Sequence, residues 1–124
     1  MDKKPTLKSE RKILKTFNIE PHPSSGRGRF LKGDGSDSMF VWDVKEAAKS
    51  FRFDQGVWDK ICSDAYHTDP YKDPGLIIVL GGRTELVLIE AMVLKQIREE
   101  LEELRETIDK LNHLREHQGT ERPE

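Results

Sequence analysis

The sequence predicts a mainly α fold: a disordered basic N-terminal arm, a small helical hairpin and a long C-terminal coiled-coil helix. Three observations lead there. Leu94, Ile97, Leu101, Leu104, Ile108 and Leu111 recur at spacings of 3, 4, 3, 4 and 3. That is an apolar heptad with Leu94, Leu101 and Ile108 at a, and Ile97, Leu104 and Leu111 at d. Charge is segregated: residues 1–32 carry a net +6, residues 33–83 a net −3 and residues 84–124 a net −5. The apolar and charged fractions are both 35%, against about 45–50% and 25% in ordinary globular chains, which is too little apolar material for a large single core.

Taken in order, residues 1–38 read as the flexible arm. One short helix is expected from Ser9, with Ile13, Leu14 and Phe17 on one side and Ser9 as its cap. Asn18 and Pro21-His22-Pro23 stop it, because proline cannot donate within a helix. Pro23 to Ser38, rich in Gly, Ser and charge, has linker composition. Residues 39–83 form the hairpin segment. Asp43 with Glu46 has capping-box spacing, so a helix is expected from Val44 to about Phe51. Asp54 caps a second helix that runs to about His67. Trp42, Phe51, Phe53 and Trp58 would hold the two together.

Tyr66 to Gly75, with Pro70 and Pro74, reads as a loop, and Leu76 to Leu80 as a short strand. After Gly81-Gly82 two readings compete. Leu76–Leu80 and Glu85–Ile89 form a hairpin about the glycines, or Thr84 caps a helix that runs unbroken into the heptads. The helix is favoured, giving a coiled-coil segment 84–118 and a tail 119–124. Arg98 and Arg105 at e and Glu100 at g would pair between helices.

Functional expectations follow from these parts. The six seam residues would carry homo-oligomerisation. Lys3, Lys4, Lys8, Arg11, Lys12, Lys15, Arg27, Arg29 and Lys32 form a basic arm able to bind nucleic-acid phosphates through counterion release. The Val44–His67 spacing resembles a helix-turn-helix, yet its second helix carries Asp54, Asp59 and Asp64 against Lys60 alone, the wrong charge for a DNA groove.

No catalytic constellation is expected. Cys62 and His67 lack a second ligand pair for zinc. His113 and His117 read as helix-end histidines, and the Asp residues from Asp54 to Asp73 as caps and turns. Lys32 to Ser38 has alternating acids like a calcium loop but no closing bidentate Glu. Gly81-Gly82 lacks the lysine of a phosphate loop. No cofactor or metal is expected.

Cys62 is the sole cysteine, which excludes an internal disulfide and fits a cytoplasmic or otherwise intracellular setting. No apolar run is long enough to span a membrane, and no secretory apolar segment follows Met1. The function expected is a non-enzymatic oligomeric adaptor or regulatory protein with a protein partner. A nucleic-acid-binding regulator or packaging-type protein is the alternative. An inhibitor presenting its acidic surface to a basic site is the third.

Overall fold

The computed structural model describes residues 7–23 and 32–120. In chain order the elements are α1 (Leu7–Thr16), β1 (Glu20–Pro21), β2 (Gly35–Ser36), β3 (Phe40–Ala47), α2 (Gln55–Thr68), β4 (Asp73–Leu80), β5 (Thr84–Leu88) and α3 (Ala91–Thr120). They fall into two compact units, Met1–Ile89 and Glu90–Glu124.

The first unit is built on one five-stranded sheet in the order β1-β2-β3-β4-β5. The fold is therefore α/β, not mainly α. β3 and β4 are parallel, and every other neighbouring pair is antiparallel. Parallel neighbours need a crossover, and α2 supplies it.

The expected helix over 44–51 is β3 instead. Phe40, Val41, Trp42 and Val44 are aromatic or β-branched, and all four are buried. Pairing with β4 from Phe40↔Asp73 through Ala47↔Leu80 outweighs the local capping-box signal of Asp43 and Glu46. There is no helical hairpin, only α2. That helix forms as expected: Asp54 Oδ1 accepts the Val57 amide at 2.9 Å, and the helix ends at Thr68.

The favoured helix from Thr84 is overturned in the same way. Gly81 and Gly82 adopt φ of +62° and +69°, the left-handed region that glycine enters without penalty. The chain turns back, and β5 pairs with β4 from Leu80↔Thr84 to Leu76↔Leu88. On one sheet face Leu76 and Ile78 meet Ile61 of α2, with Phe51, Val57, Trp58, Leu80 and Leu88 packed around them.

The arm is also more ordered than its composition suggests. α1 forms with Leu14 buried to 1% exposure. It ends where Asn18 takes φ +58° and the Ile19 amide reaches back to the Leu14 carbonyl at 2.8 Å, a left-handed cap. Ser9 lies inside the helix and donates its hydroxyl to Glu46 Oε2 at 3.0 Å, so it is not the cap.

The second unit is α3. The expected coiled coil is not seen. α3 is one helix that starts at Ala91, with β5 in place of the anticipated first turns. On it Leu94, Leu101, Leu104, Ile108 and Leu111 are exposed, and Ile97 is half-buried. Residues 119 and 120, expected in the tail, close the helix, and 121–124 lie outside the described residues. No helix among the described residues is long and apolar enough to cross a membrane.

Candidate functional site

The site grows from the short pairing of β2 with β3. Gly35 lies opposite Trp42 and Ser36 opposite Val41. Asp34 immediately precedes that pairing, in a bend beside β3. The Asp34 amide donates to the Trp42 carbonyl at 2.8 Å, which holds that bend in place. On the other side the His22 amide donates to the Asp34 carbonyl at 2.9 Å.

Beyond Asp34 the backbone ladder stops, and a side chain continues it. Asp34 Oδ2 accepts the Val44 amide at 2.6 Å. The Asp43 side chain lies within hydrogen-bonding reach of the Asp34 carboxyl. Two carboxylates can share a hydrogen bond only if one is protonated. The proton belongs to Asp34. Burial first, then the charge of Asp43, push its pKa from 3.8 up to about 8, against the opposing Val44 amide.

Lys45 follows Asp43 by two residues, so alternation places both on one face of β3. Its ammonium lies 3.2 Å from Asp43 Oδ2. Glu10 approaches from α1. Burial and the Asp43 charge raise its pKa, while Lys45 works in the opposite direction. Asp43 and Lys45 open into a cleft of about 420 Å³ against α2, where Lys60 and Asp64 also line the wall.

Comparisons with known proteins add no name. No protein-family model matches the chain, and comparison with curated proteins and with solved structures finds no significant match. The chemistry of the site stands on its own geometry.

Among the described residues no three His, Cys, Asp or Glu side chains are grouped closely enough to cage a metal ion. Asp34 and Asp43 still suit a hard cation. Mg²⁺ in particular is commonly held by one or two carboxylates, with waters and substrate phosphate oxygens completing its shell.

The residues singled out from the sequence are scattered. Lys8, Arg11, Lys12 and Lys15 are exposed on α1, opposite the face that buries Leu14. Lys32 is exposed, and its amide donates to Thr68 Oγ1 at 2.7 Å. Lys3, Lys4, Arg27 and Arg29 lie outside the described residues. The seam residues of α3 belong to the other unit.

The calcium-loop pattern of 32–38 separates in space. Asp37 turns away from Asp34: its Oδ1 accepts the Met39 and Phe40 amides at 2.8 Å each, and its Oδ2 accepts Trp42 Nε1 at 2.8 Å. Asp54 and Asp69 do serve caps and turns, Asp69 accepting the Tyr71 amide at 3.0 Å.

Glu10, Asp34, Asp43 and Lys45 were missed by sequence reasoning. The signal that finds them is the alternation Val41-Asp43-Lys45, a buried residue followed by two half-buried charges, within an apolar strand. An acid and a base two apart on a strand that is otherwise core need a reason to be there.

Proposed function

We propose that the chain is a divalent-cation-dependent phosphodiesterase acting on nucleic acid, with Asp34, Asp43 and Lys45 at its centre and Glu10 beside them. The observation that carries this reading is the closeness of the Asp34 and Asp43 carboxyls, with the Lys45 ammonium 3.2 Å from Asp43. A purely structural role explains it poorly. Desolvating two carboxylates against each other costs stability, and a core position could hold apolar residues instead.

The roles follow from the groups. Asp43 offers an oxygen ligand to the cleft, with Asp34 as its close neighbour. A cation held by them would polarise a phosphodiester and generate a nucleophilic hydroxide from its water at neutral pH. Lys45 places a positive charge where the phosphate gains negative charge in the transition state. Glu10 adds a negative charge whose field reaches Asp34 and Asp43. The basic residues of α1 support a polyanionic substrate.

The test is cleavage of labelled single-stranded, duplex and branched oligonucleotides with Mg²⁺ or Mn²⁺. Cleavage that EDTA abolishes, and that Asp43→Asn lowers by at least about 100-fold, is the expected result. Absence of cleavage on every substrate with both cations, or full activity in Asp43→Asn, would sink the reading.

The adaptor is kept as the second reading, favoured by one observation. Leu101, Leu104, Ile108, Leu111 and Leu114 are exposed along α3 at 44–59% of their area, a stripe that suits a protein partner. An inactive chain with intact partner binding through that stripe would promote it.

A further inference from the structure

Lys60 lines the same cleft as Asp43 and Lys45, and its place there is set by α2. Ile61 rests on Leu76 and Ile78, and those two residues are the β4 partners of Asp43 and Lys45. The helix is thereby pinned beside the two charged residues of β3. Gly56, Lys60 and Asp64 follow one another at intervals of four, which is one face of a helix, and all three border the cleft. The glycine contributes no side chain, so Lys60 and Asp64, about 6 Å apart along the axis, are the groups this face presents.

We infer that Lys60 is the phosphate-binding residue of this cleft, and that it takes hold of a phosphodiester only once a divalent cation has joined Asp43. The cation and the ester rest on the phosphodiesterase reading; the position and charge of Lys60 do not.

The charges of the lining fit that order. Among the described residues Lys45 is paired with Asp43 at 3.2 Å and Arg52 reaches Asp54 at 3.8 Å, while Lys60 and Asp64 enter no ion pair. Lys60 is exposed, so its ammonium can turn to a ligand without giving up an ionic partner. The lining as a whole repels an anion. Asp43, Asp54 and Asp64 set three carboxyl groups against the two amines of Lys45 and Lys60, which leaves the cleft one formal charge negative. A bound Mg²⁺ or Mn²⁺ makes it one charge positive. Attraction for a phosphate therefore switches on with the cation. The cation bonds one phosphate oxygen, and Lys60, a compact point charge on a flexible stem, takes another.

A fluorescent single-stranded phosphorothioate oligonucleotide, which resists hydrolysis, reports binding to the full chain by anisotropy in EDTA and in Mg²⁺. For binding through surface lysines alone, Mg²⁺ competes and weakens affinity. The inference requires the opposite sign: Mg²⁺ should tighten binding by about tenfold or more. Lys60→Ala should lose that gain and reduce the slope of log affinity against log salt by about 0.7. Lys49→Ala, at an exposed lysine outside the cleft, should keep the gain, and Asp64→Asn should tighten binding further in Mg²⁺. Mg²⁺ that weakens binding in every variant, or equal behaviour of Lys60→Ala and Lys49→Ala, would overturn the inference. Position 60 is exposed in a helix interior, where alanine is favoured, so folding is preserved. Cleavage of an ordinary phosphodiester strand is scored in parallel. A Mg²⁺ gain that Lys60→Ala loses, without any cleavage, sinks the phosphodiesterase reading and keeps the phosphate contact. Cleavage with unchanged affinity in Lys60→Ala does the reverse.

Discussion

Asp34 Oδ2 takes the Val44 amide at 2.6 Å, while burial and the neighbouring Asp43 raise its pKa to about 8. One carboxyl group thus does the work of a missing strand residue and half of an acid pair.

Stability should therefore fall as pH rises. A carboxyl whose pKa goes from 3.8 to about 8 on folding binds more protons in the native state throughout that interval. Unfolding free energy then decreases with pH between about 4 and 8 and is flat outside it. Asp34→Asn mimics the protonated form, donating to Asp43 and accepting from Val44, and should remove this slope. Urea midpoints of both proteins from pH 5 to 9 check it: the variant should be the more stable at pH 9. Parallel curves would place the proton elsewhere.

Cation binding should compete with the same proton. Mg²⁺ or Mn²⁺ needs Asp34 ionised, so affinity should rise towards a plateau above pH 8. One proton should be released from Asp34 per cation in the rising limb. Calorimetric titrations in buffers of different ionisation enthalpy count that proton. A pH-independent affinity would show that the cation ignores Asp34.

A third expectation concerns the sheet beneath the site. Gly75 is paired with Trp42, and a Cβ built on Gly75 would strike the Trp42 ring. That ring is also fixed by its Nε1–H to Asp37 at 2.8 Å and stacks near Phe40 with centroids 4.8 Å apart. Gly75→Ala should cost about 1–3 kcal/mol through overpacking, read as a lower urea midpoint with altered tryptophan emission. An unchanged midpoint would mean the ring moves freely.

Much of the chain's local structure was legible. The Asp54 cap, α2, the Leu76–Leu80 strand and the stop at Asn18 each depend on neighbours in sequence. β3 was not legible, because Asp43, Glu46, Ala47 and Ala48 imitate a helix start. Its partner residues, Asp73 to Leu80, lie 33 positions away, beyond any local window. At Thr84 the glycine turn was weighed and set aside because the α3 heptads promised a longer helix. The site was hidden for the same reason as β3. Glu10, Asp34 and Asp43 belong to three elements, and only the sheet makes them neighbours.

The parallel pairing of β3 with β4 has a kinetic consequence. Asp34 and Asp43 are joined by a short excursion and can meet early, as a local hairpin. What buries them arrives only when the chain closes a loop of about thirty residues through α2, a step with a substantial entropic barrier. Between those two events the pair exists but is wet, and its acidity is ordinary. The raised pKa of Asp34 is thus expected to arise at the closing of the sheet, and proton uptake during refolding would mark that step.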